Sequence, residues 1–225
     1  MKGLRFVQYT AAAVAFTMVT LTGFAQQPAD STKEGSLDDL QAKPMRLPAL
    51  SEVGGSMFLT NEFKQATILV SPKVYVPEVP VRFNIYNNAV MVQRDGQELK
   101  LESFYEVSYD ETNADGTVKH LRFRQGFPDV DNHTTSSVYM VLSEGPKVVL
   151  LKFMQQKVED VATLGDYSRK ELVTTEQLYI YVPGGAMKKV KSAKKDLVEL
   201  LPAMAGKIDA FVEANNLKLK SETEI

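Results

Sequence analysis

Short turn sequences separate consecutive apolar segments in the middle of the chain, and this feature constrains the fold most. They occur at Asn87-Asn88, Asp95-Gly96, Asp115-Gly116, Glu144-Gly145-Pro146 and Gly184-Gly185. Asp-Gly between such segments is typical of a two-residue hairpin turn, because both residues tolerate positive φ. Strands joined this closely are antiparallel, since parallel pairing needs a long crossover. The sequence therefore predicts a mainly β (α+β) fold: an antiparallel meander of about nine to eleven strands, rolled or barrel-like.

The strands of this meander are of two kinds. Residues 81–86 alternate apolar with polar side chains, as a half-buried strand does. Residues 138–142 and 148–153 are apolar almost throughout, which indicates central strands buried on both faces. We expect the C-terminal segment to cover them. The polar stretch 155–175 is interpreted as a long flexible hairpin connection.

Two short helices are predicted over about residues 192–215, packed on the sheet. Ser192 is a candidate N-cap. Pro202 interrupts the helical pattern and suits the first turn of a new helix. One apolar stripe then follows, made of Met204, Ile208, Phe211 and Val212. Residues 220–225 are expected to fray.

The amino terminus has the three parts of a secretory signal peptide. Lys2 and Arg5 precede an apolar run, and Gly23-Phe24-Ala25 places small residues at both positions that a signal peptidase reads. A membrane anchor would need about 20 strongly apolar residues, whereas this run is shorter and diluted by threonine. We therefore predict a signal peptide over residues 1–25 and no transmembrane span after cleavage. The protein would be exported, to the periplasm or to an outer-membrane-associated or extracellular location.

Residues 26–52 hold prolines and scattered charges but no helical or strand periodicity. Such a segment buries too little surface to offset the entropy of ordering it. We predict a mostly disordered tether here. A single antiparallel β domain, residues 53–219, would follow it.

Composition excludes several chemistries. The 225 residues include no cysteine and two histidines, which excludes disulfide scaffolds, thiol catalysis and a three-histidine metal site. A net charge of −2 gives no general attraction to nucleic acid, so no nucleic-acid partner is expected. Gly-x-Ser-x-Gly and the phosphate-binding glycine motifs are missing from the sequence. We therefore predict no enzyme activity, no cofactor and no catalytic residue.

Two acidic segments resemble metal loops without qualifying as such. Residues 129–133 gather Asp129, Asp131 and His133, but aspartate and asparagine at this density are also the commonest turn residues, so a turn is predicted. Residues 111–116 match the first half of a calcium loop. Arg122 stands where that loop requires a bidentate glutamate, and no metal site is predicted.

Arg124 and Phe127 are candidate binding residues. The alternation over residues 121–124 places Leu121 and Phe123 on the core face and the two arginines on the other. Gly126 permits a sharp exit from the strand. Phe127 would then either fold back over the core or project as an anchor for a partner.

Tyr179 and Tyr181 are candidates for a different reason. They share one face of a predicted strand, where aromatic rings either bind sugars and peptides or pack under a loop. A lysine run follows on and after the next predicted strand, at Lys188, Lys189, Lys191, Lys194 and Lys195. It would either bind an anionic group or protect a sheet edge from further pairing.

A resemblance adds to these patterns. Gly55-Ser56-Met57-Phe58-Leu59, Phe83-Asn84-Ile85-Tyr86 and Phe123-Arg124-Gln125-Gly126-Phe127-Pro128 are similar to segments of a family of small exported β-rich proteins from Bacteroidetes-type Gram-negative bacteria. The resemblance covers most of the chain from Gly55 onward. It implies secretion past the inner membrane and carries over no catalytic residue. Phe63 departs from it, since tryptophan is expected there.

Two functions follow from the sequence. The first is a non-catalytic binding or interaction module of the cell envelope, whose partner is an envelope protein, a glycan or a lipid. The alternative is a barrel or half-barrel that encloses a small apolar ligand or lipid. A cavity lined by Phe83, Leu121, Phe123 and Met140 would favour the barrel, whereas a solid core at these residues would favour the interaction module.

Overall fold

The computed structural model describes residues 32–50, 52–163 and 166–219. The predicted signal peptide and the predicted frayed tail lie outside these residues. Within them, one twelve-stranded sheet is followed by two helices. The strands are β1 (Lys33–Glu34), β2 (Ala42–Pro44), β3 (Lys64–Ser71), β4 (Val74–Asn84), β5 (Ala89–Arg94), β6 (Gln97–Leu101), β7 (Glu106–Thr112), β8 (Val118–Arg124), β9 (Tyr139–Glu144), β10 (Val149–Thr163), β11 (Asp166–Tyr181) and β12 (Met187–Lys189).

The sheet is antiparallel along its path, which confirms the predicted fold class. The order of the strands is β12-β11-β10-β9-β8-β7-β3-β4-β5-β6-β2, and β1 pairs in parallel with β4. All the predicted turns join antiparallel neighbours. At the β5–β6 turn, Asp95 and Gly96 both have positive φ, 51° and 73°. This is the geometry that favours Asp-Gly in a hairpin.

One short connection does not form a hairpin. Residues 102–105 link β6 to β7, yet β5, β4 and β3 separate these two strands in the sheet. In a flat sheet they would be about 19 Å apart, since strand spacing is about 4.8 Å. The extended chain from Leu101 to Glu106 spans at most about 17 Å. The sheet is therefore rolled, although it is not closed.

The roll surrounds an inner core, whose largest rings are those of Phe83 and Phe123. These two rings stack with centroids 4.8 Å apart, and both side chains are almost completely buried. A second group, the outer cluster, lies on the opposite face of β9 and β10. It consists of Phe127, Tyr139, Val141, Val149, Leu151, Phe153 and Tyr179. The prediction that these central strands are buried on both faces is confirmed.

The cover of the outer cluster differs from the prediction. Phe127 and Val130 belong to the loop 125–138, and Met187 to β12. Among the described residues, neither helix contributes to this cluster. The sequence pointed to the C-terminal segment because that segment has an apolar stripe, but a loop with two apolar residues covers this face instead.

Residues 155–163 and 166–175 are not a flexible connection, so that prediction was wrong. They form most of β10 and β11, whose pairing is continuous from Val149 opposite Tyr181 to Val161 opposite Arg169. Valine and threonine recur along both strands and favour extended backbone even among polar neighbours. Asp160 lies opposite Lys170, and this pairing of opposite charges further stabilises the hairpin of β10 and β11.

The tether prediction was wrong for residues 32–50. Ala42 pairs with Leu101 at one end of the sheet, and Lys33 pairs with Val74. Leu40 is 6% exposed and belongs to the inner core. These strands are too short for any periodicity, and the strands that pair with them lie far along the sequence. Residues 26–31 lie outside the described part of the chain.

The two helices are α1 (Ala193–Leu200) and α2 (Ala205–Ala214), with a 3-10 turn at Pro202–Met204 between them. Pro202 begins this turn, as predicted. Lys188 of β12 bonds Asp196 of α1 at 3.0 Å, and Ala193 is buried. Phe211 of the predicted stripe is 62% exposed. In the described part of the chain, no helix is both long and apolar enough to cross a membrane.

A candidate ligand-binding cleft

An open cleft of about 730 Å³ lies beside the outer cluster, between the β4–β5 turn, the loop 125–138 and strands β10 to β12. We call it the amide-lysine cleft. Its polar uncharged lining includes Asn87, Asn88, Asn132, Ser136, Ser137, Gln155 and Gln177. Its cations are Lys100, Lys157, Lys189 and Lys191, and Asp131 is the acidic residue of its lining. Tyr86, His133 and Phe153 supply aromatic surface.

Strand alternation explains why β10, β11 and β12 point these side chains into the cleft. Phe153 lies opposite Gln177, and Tyr179 lies opposite Lys189, so all four share one face of the sheet. Gln155 and Lys157 continue the same face along β10, because successive side chains alternate. This face of the sheet is thus apolar where the loop 125–138 covers it and polar where the loop does not.

Hydrogen bonds fix the loop 125–138 over this face. The Asn88 side-chain amide donates to the Val138 carbonyl at 2.9 Å, and its carbonyl oxygen accepts from the Val138 N–H at 2.8 Å. The Gln125 side chain donates to the Ser136 carbonyl at 2.9 Å. Gly126 has a φ of 85°, which allows the sharp exit from β8. The β4–β5 turn and the loop therefore hold each other in place.

His133 forms part of the floor of the cleft. Its ring stacks on Phe153 with centroids 3.8 Å apart, and its Nδ1 shares a 2.8 Å hydrogen bond with the Tyr139 hydroxyl. Burial lowers the pKa of His133, so the ring is neutral at pH 7. Burial raises the pKa of Tyr139, so its hydroxyl keeps its proton. The pair is a neutral hydrogen-bonded unit.

Asp131 and Tyr179 form the adjacent polar pair. The Tyr179 hydroxyl lies 3.0 Å from Asp131 Oδ2 and 3.0 Å from Gln177 Oε1, and can donate to either oxygen. Burial and the Asp131 carboxylate raise the pKa of Tyr179. Residues 129–133 form a turn, as predicted, with Val130 and His133 exchanging backbone hydrogen bonds at 2.9 and 3.2 Å.

Three of the four predicted binding residues come together in or against the outer cluster. Phe127 is 4% exposed, and its ring meets those of Tyr139 and Tyr181 edge to face at 5.5 and 5.3 Å. Tyr179 is fully buried and Tyr181 half-buried. Phe127 therefore folds back over the core and does not project from the surface as an anchor for a partner. These rings support the cleft from beneath.

Arg124 lies elsewhere on the same face, in an arginine–glutamate cluster. Its guanidinium bonds Glu106 at 2.6 Å and Glu144 at 2.7 Å, and Arg122 bonds the same carboxylates at 2.8 and 2.5 Å. Hydrogen bonds from Arg124, and then from Arg122, lower the pKa of Glu144 to about 2. Because two arginines meet two glutamates, the cluster is neutral. Arg124 therefore serves to join β7, β8 and β9.

The structure divides the predicted lysine run into two groups. Lys188 bonds Asp196 and Glu199 of α1, and Lys194 bonds Asp209 of α2. Lys189 and Lys191 instead line the cleft and make no ion pair within the described residues. Lys157 on β10 likewise has no such pair. Three cations of the cleft are thus not neutralised by any residue that the structure describes.

A second depression, of about 710 Å³, adjoins the cleft. It shares Gln177, Lys189 and Lys191 with the cleft and extends to Lys194 and Lys218. Glu176 is the carboxylate of its lining and is bonded to Lys152 at 3.1 Å. The two depressions therefore adjoin at these three residues, along β11 and β12.

The four side chains that would line the cavity of the alternative barrel are buried in the inner core. Phe83, Leu121, Phe123 and Met140 are all at most 5% exposed and belong to the inner core. Phe123 stacks on Phe83 and also on Tyr109, with ring centroids 5.9 Å apart in the second pair. In the described residues, these side chains form a solid core, the arrangement that favours the interaction module.

No protein-family model, curated protein or solved structure matches the chain. In the described residues, no three His, Cys, Asp or Glu side chains are grouped so that they could hold a metal ion. Function is therefore inferred from the chemistry of the cleft.

Sequence reasoning missed most of the cleft, including Asn132, Gln177 and Lys157. A signal was present in β10, where Leu151, Phe153, Gln155 and Lys157 alternate with their neighbours on one face. Because residues 155–175 were interpreted as a connection, this alternation was not recognised as that of a strand. The contribution of the β4–β5 turn depends on the distant contact between Asn88 and Val138, which no local pattern indicates.

Proposed function

We propose that this protein is a non-catalytic binding module of the cell envelope and that the amide-lysine cleft binds a glycan. The observation that carries the proposal is a group of side-chain amides that have no protein partner among the described residues and lie beside an aromatic floor. The side chains of Asn132 and Gln155 make no hydrogen bond within the described residues. The Nδ2 of Asn87 is buried without a partner there.

Such amides suit a ligand rich in hydroxyl groups. Each carries two N–H donors and a carbonyl acceptor, so one side chain can both donate to and accept from a sugar. Tyr86 and the stacked rings of His133 and Phe153 add a surface against which the C–H face of a sugar ring can pack. An apolar ligand would leave the amides unpaired, at a cost of about 1–3 kcal/mol each.

The titratable groups of the cleft support binding rather than catalysis. His133 shares its Nδ1 with Tyr139, and one face of its ring is covered by Phe153. The raised pKa values of Tyr139 and Tyr179 make both hydroxyls poor bases at neutral pH. Asp131 already accepts a hydrogen bond from Tyr179. Each group is thus engaged in holding the loop.

The envelope location is proposed from the amino terminus. The charged start, the apolar run and the small residues at Gly23 and Ala25 favour export and cleavage after Ala25. The experiment is to fractionate cells of the native host and to sequence the amino terminus of the protein. A mature chain beginning at Gln26 outside the cytoplasm supports export, whereas a cytosolic chain retaining Met1 contradicts it.

Binding is tested on the purified protein with an array of polysaccharides and oligosaccharides, followed by calorimetry with the array's strongest ligand. Asn132→Ala and Gln155→Ala should each weaken binding about five- to tenfold, as expected for the loss of one or two hydrogen bonds. Gln93→Ala, on the exposed surface of β5, is the matched control. Equal affinity of all three variants and the unaltered protein would contradict binding in the cleft. Shortening of the bound glycan during incubation would contradict the non-catalytic role.

A further inference from the structure

We infer that the ligand is a linear acidic polysaccharide, which lies along both depressions with its anionic groups against Lys157, Lys189 and Lys191. This inference rests on the proposed function and adds the class of glycan. Three kinds of observation carry it: the charge of the surface, the spacing of its lysines and its length.

The charge of the surface is opposite to that of the whole chain. The chain has a net charge of −2, yet four lysines line the cleft and Lys218 extends the row. Among the described residues, Asp131 is the one carboxylate beside the four lysines of the cleft lining, and Glu176 of the second depression is bonded to Lys152. The field over the surface is therefore positive, and positively charged clefts raise the local concentration of anions.

Edge protection accounts for only some of these lysines. Lys188 and Lys189 lie on the last strand of the sheet, where charge discourages further pairing. Lys188 is neutralised by α1, whereas Lys189 and Lys191 are left without an ion pair among the described residues. Lys157 lies on β10 beyond Lys152, where β10 pairs with β11 and no longer with β9, so it also lies at an edge of the sheet. Its side chain also lines the cleft, however, where it can contact an anionic ligand.

The spacing of the lysines requires an elongated ligand. Lys189 pairs with Tyr179, which pairs with Leu151. Lys157 lies six residues beyond Leu151, or about 20 Å along the strand at about 3.4 Å per residue. The two strand spacings between β10 and β12 add about 10 Å across the sheet. A single sugar cannot bridge these two lysines even when their side chains converge, whereas an oligosaccharide with an acid group on successive sugars can.

The two depressions together provide the length for such a chain. They meet at Gln177, Lys189 and Lys191, and their volumes of about 730 and 710 Å³ are similar. A ligand that filled the amide-lysine cleft alone would not contact Lys218, nor Lys194, which is paired with Asp209. A linear chain that passes Lys189 reaches both sets of lysines.

The experiment uses the full protein and oligogalacturonates of two to eight sugars, with fully methyl-esterified oligogalacturonates as the uncharged match. We expect the acidic chains to bind at least tenfold more tightly than the esters. Affinity should rise with length up to five or more sugars and fall as salt is added, because the contacts are between exposed charges. Equal affinity for acid and ester, or no dependence on length, would overturn the inference.

Substitutions locate the contact. Lys157→Gln, Lys189→Gln and Lys191→Gln should each weaken acidic-chain binding about threefold, and the triple variant about thirtyfold. Lys147→Gln is the matched control, since Lys147 is exposed, lies in the β9–β10 turn and makes no ion pair among the described residues. Circular dichroism and the melting temperature confirm that each variant is folded. Loss of binding in the control equal to that in the cleft variants would overturn the inference.

The outcomes separate this inference from the proposed function. If neutral glycans bind and only Asn132→Ala and Gln155→Ala weaken them, the glycan module stands and the acidic ligand is wrong. If no oligosaccharide binds but vesicles containing phosphatidylglycerol do, with the same dependence on the three lysines, the surface is a membrane contact and both proposals are wrong. Binding of acidic chains that is lost in the triple variant supports both.

Discussion

Replacement of Phe127 by alanine tests whether the loop 125–138 is held by its apolar anchor. The side chain is 4% exposed and makes edge-to-face contacts with Tyr139 and Tyr181. Burial of such a ring contributes about 1.5–3 kcal/mol, and each aromatic pair adds about 0.5–1.5 kcal/mol. We therefore expect Phe127→Ala to lower the free energy of unfolding by about 3–5 kcal/mol, the range measured for buried phenylalanine.

The assay is equilibrium unfolding in urea. With a slope of about 2 kcal/mol per molar urea, the midpoint should fall by about 1.5–2.5 M. Phe211→Ala is the control, because Phe211 is 62% exposed and should cost less than about 0.5 kcal/mol. An unchanged midpoint for Phe127→Ala would refute the assignment of Phe127 to the outer cluster and restore it as an exposed anchor.

Three further predictions concern local features of the fold. The ion pairs of Glu144 contribute their full stability above its ordinary pKa of 4.5, and this stability is lost as the pH falls toward about 2. Glu144→Gln should therefore reduce the acid sensitivity of urea unfolding, and a pH profile identical to that of the unaltered protein would contradict this. Gly96→Ala should destabilise the protein by about 1 kcal/mol because φ is 73° at this position, whereas Gly206→Ala within α2 should stabilise it by up to about 1 kcal/mol. Thermal melts in which both variants shift the melting temperature in the same direction would contradict this. Leu40→Ala should cost about 2–4 kcal/mol in urea unfolding, and a cost near zero would return residues 32–50 to the status of a tether.

The hairpins were predictable because their information is local. A pair such as Asp95-Gly96 needs positive φ at both residues, and the apolar segments on either side are within a few residues of it. The same holds for Pro202, whose ring suits the first turn of a helix wherever the helix packs. The fold class and the helices follow from such signals.

Long-range pairing was not predictable in this way. β2 has three residues and is held by β6, more than fifty positions away in the sequence. The β6–β7 connection looks like a hairpin loop, yet it crosses the roll because β7 pairs with β3. The energy that decides each case comes from burial against distant residues, such as that of Leu40 in the inner core. Local propensity contributes little to it.

The sequence predicted the supporting layer of the candidate site, and also Lys189 and Lys191 as one of two interpretations of the lysine run. Tyr179, Tyr181 and Phe127 were selected because aromatic residues are conspicuous in a sequence. They lie beneath the cleft and hold the loop. The polar residues that face the opening are individually ordinary, and only the register of β10, β11 and β12 brings Gln155, Gln177 and Lys189 together.

The central claim is that a glycan binds in the amide-lysine cleft, and an NMR titration tests it most directly. The backbone and side-chain amides of the ¹⁵N-labelled protein would be followed as the oligosaccharide that binds most strongly in the array is added, and separately as an oligogalacturonate of six sugars is added. We predict concentration-dependent shifts of the side-chain amides of Asn132, Gln155 and Gln177, with those of Gln93 unchanged. Shifts confined to other surfaces of the protein, or no shifts up to millimolar sugar, would contradict the claim.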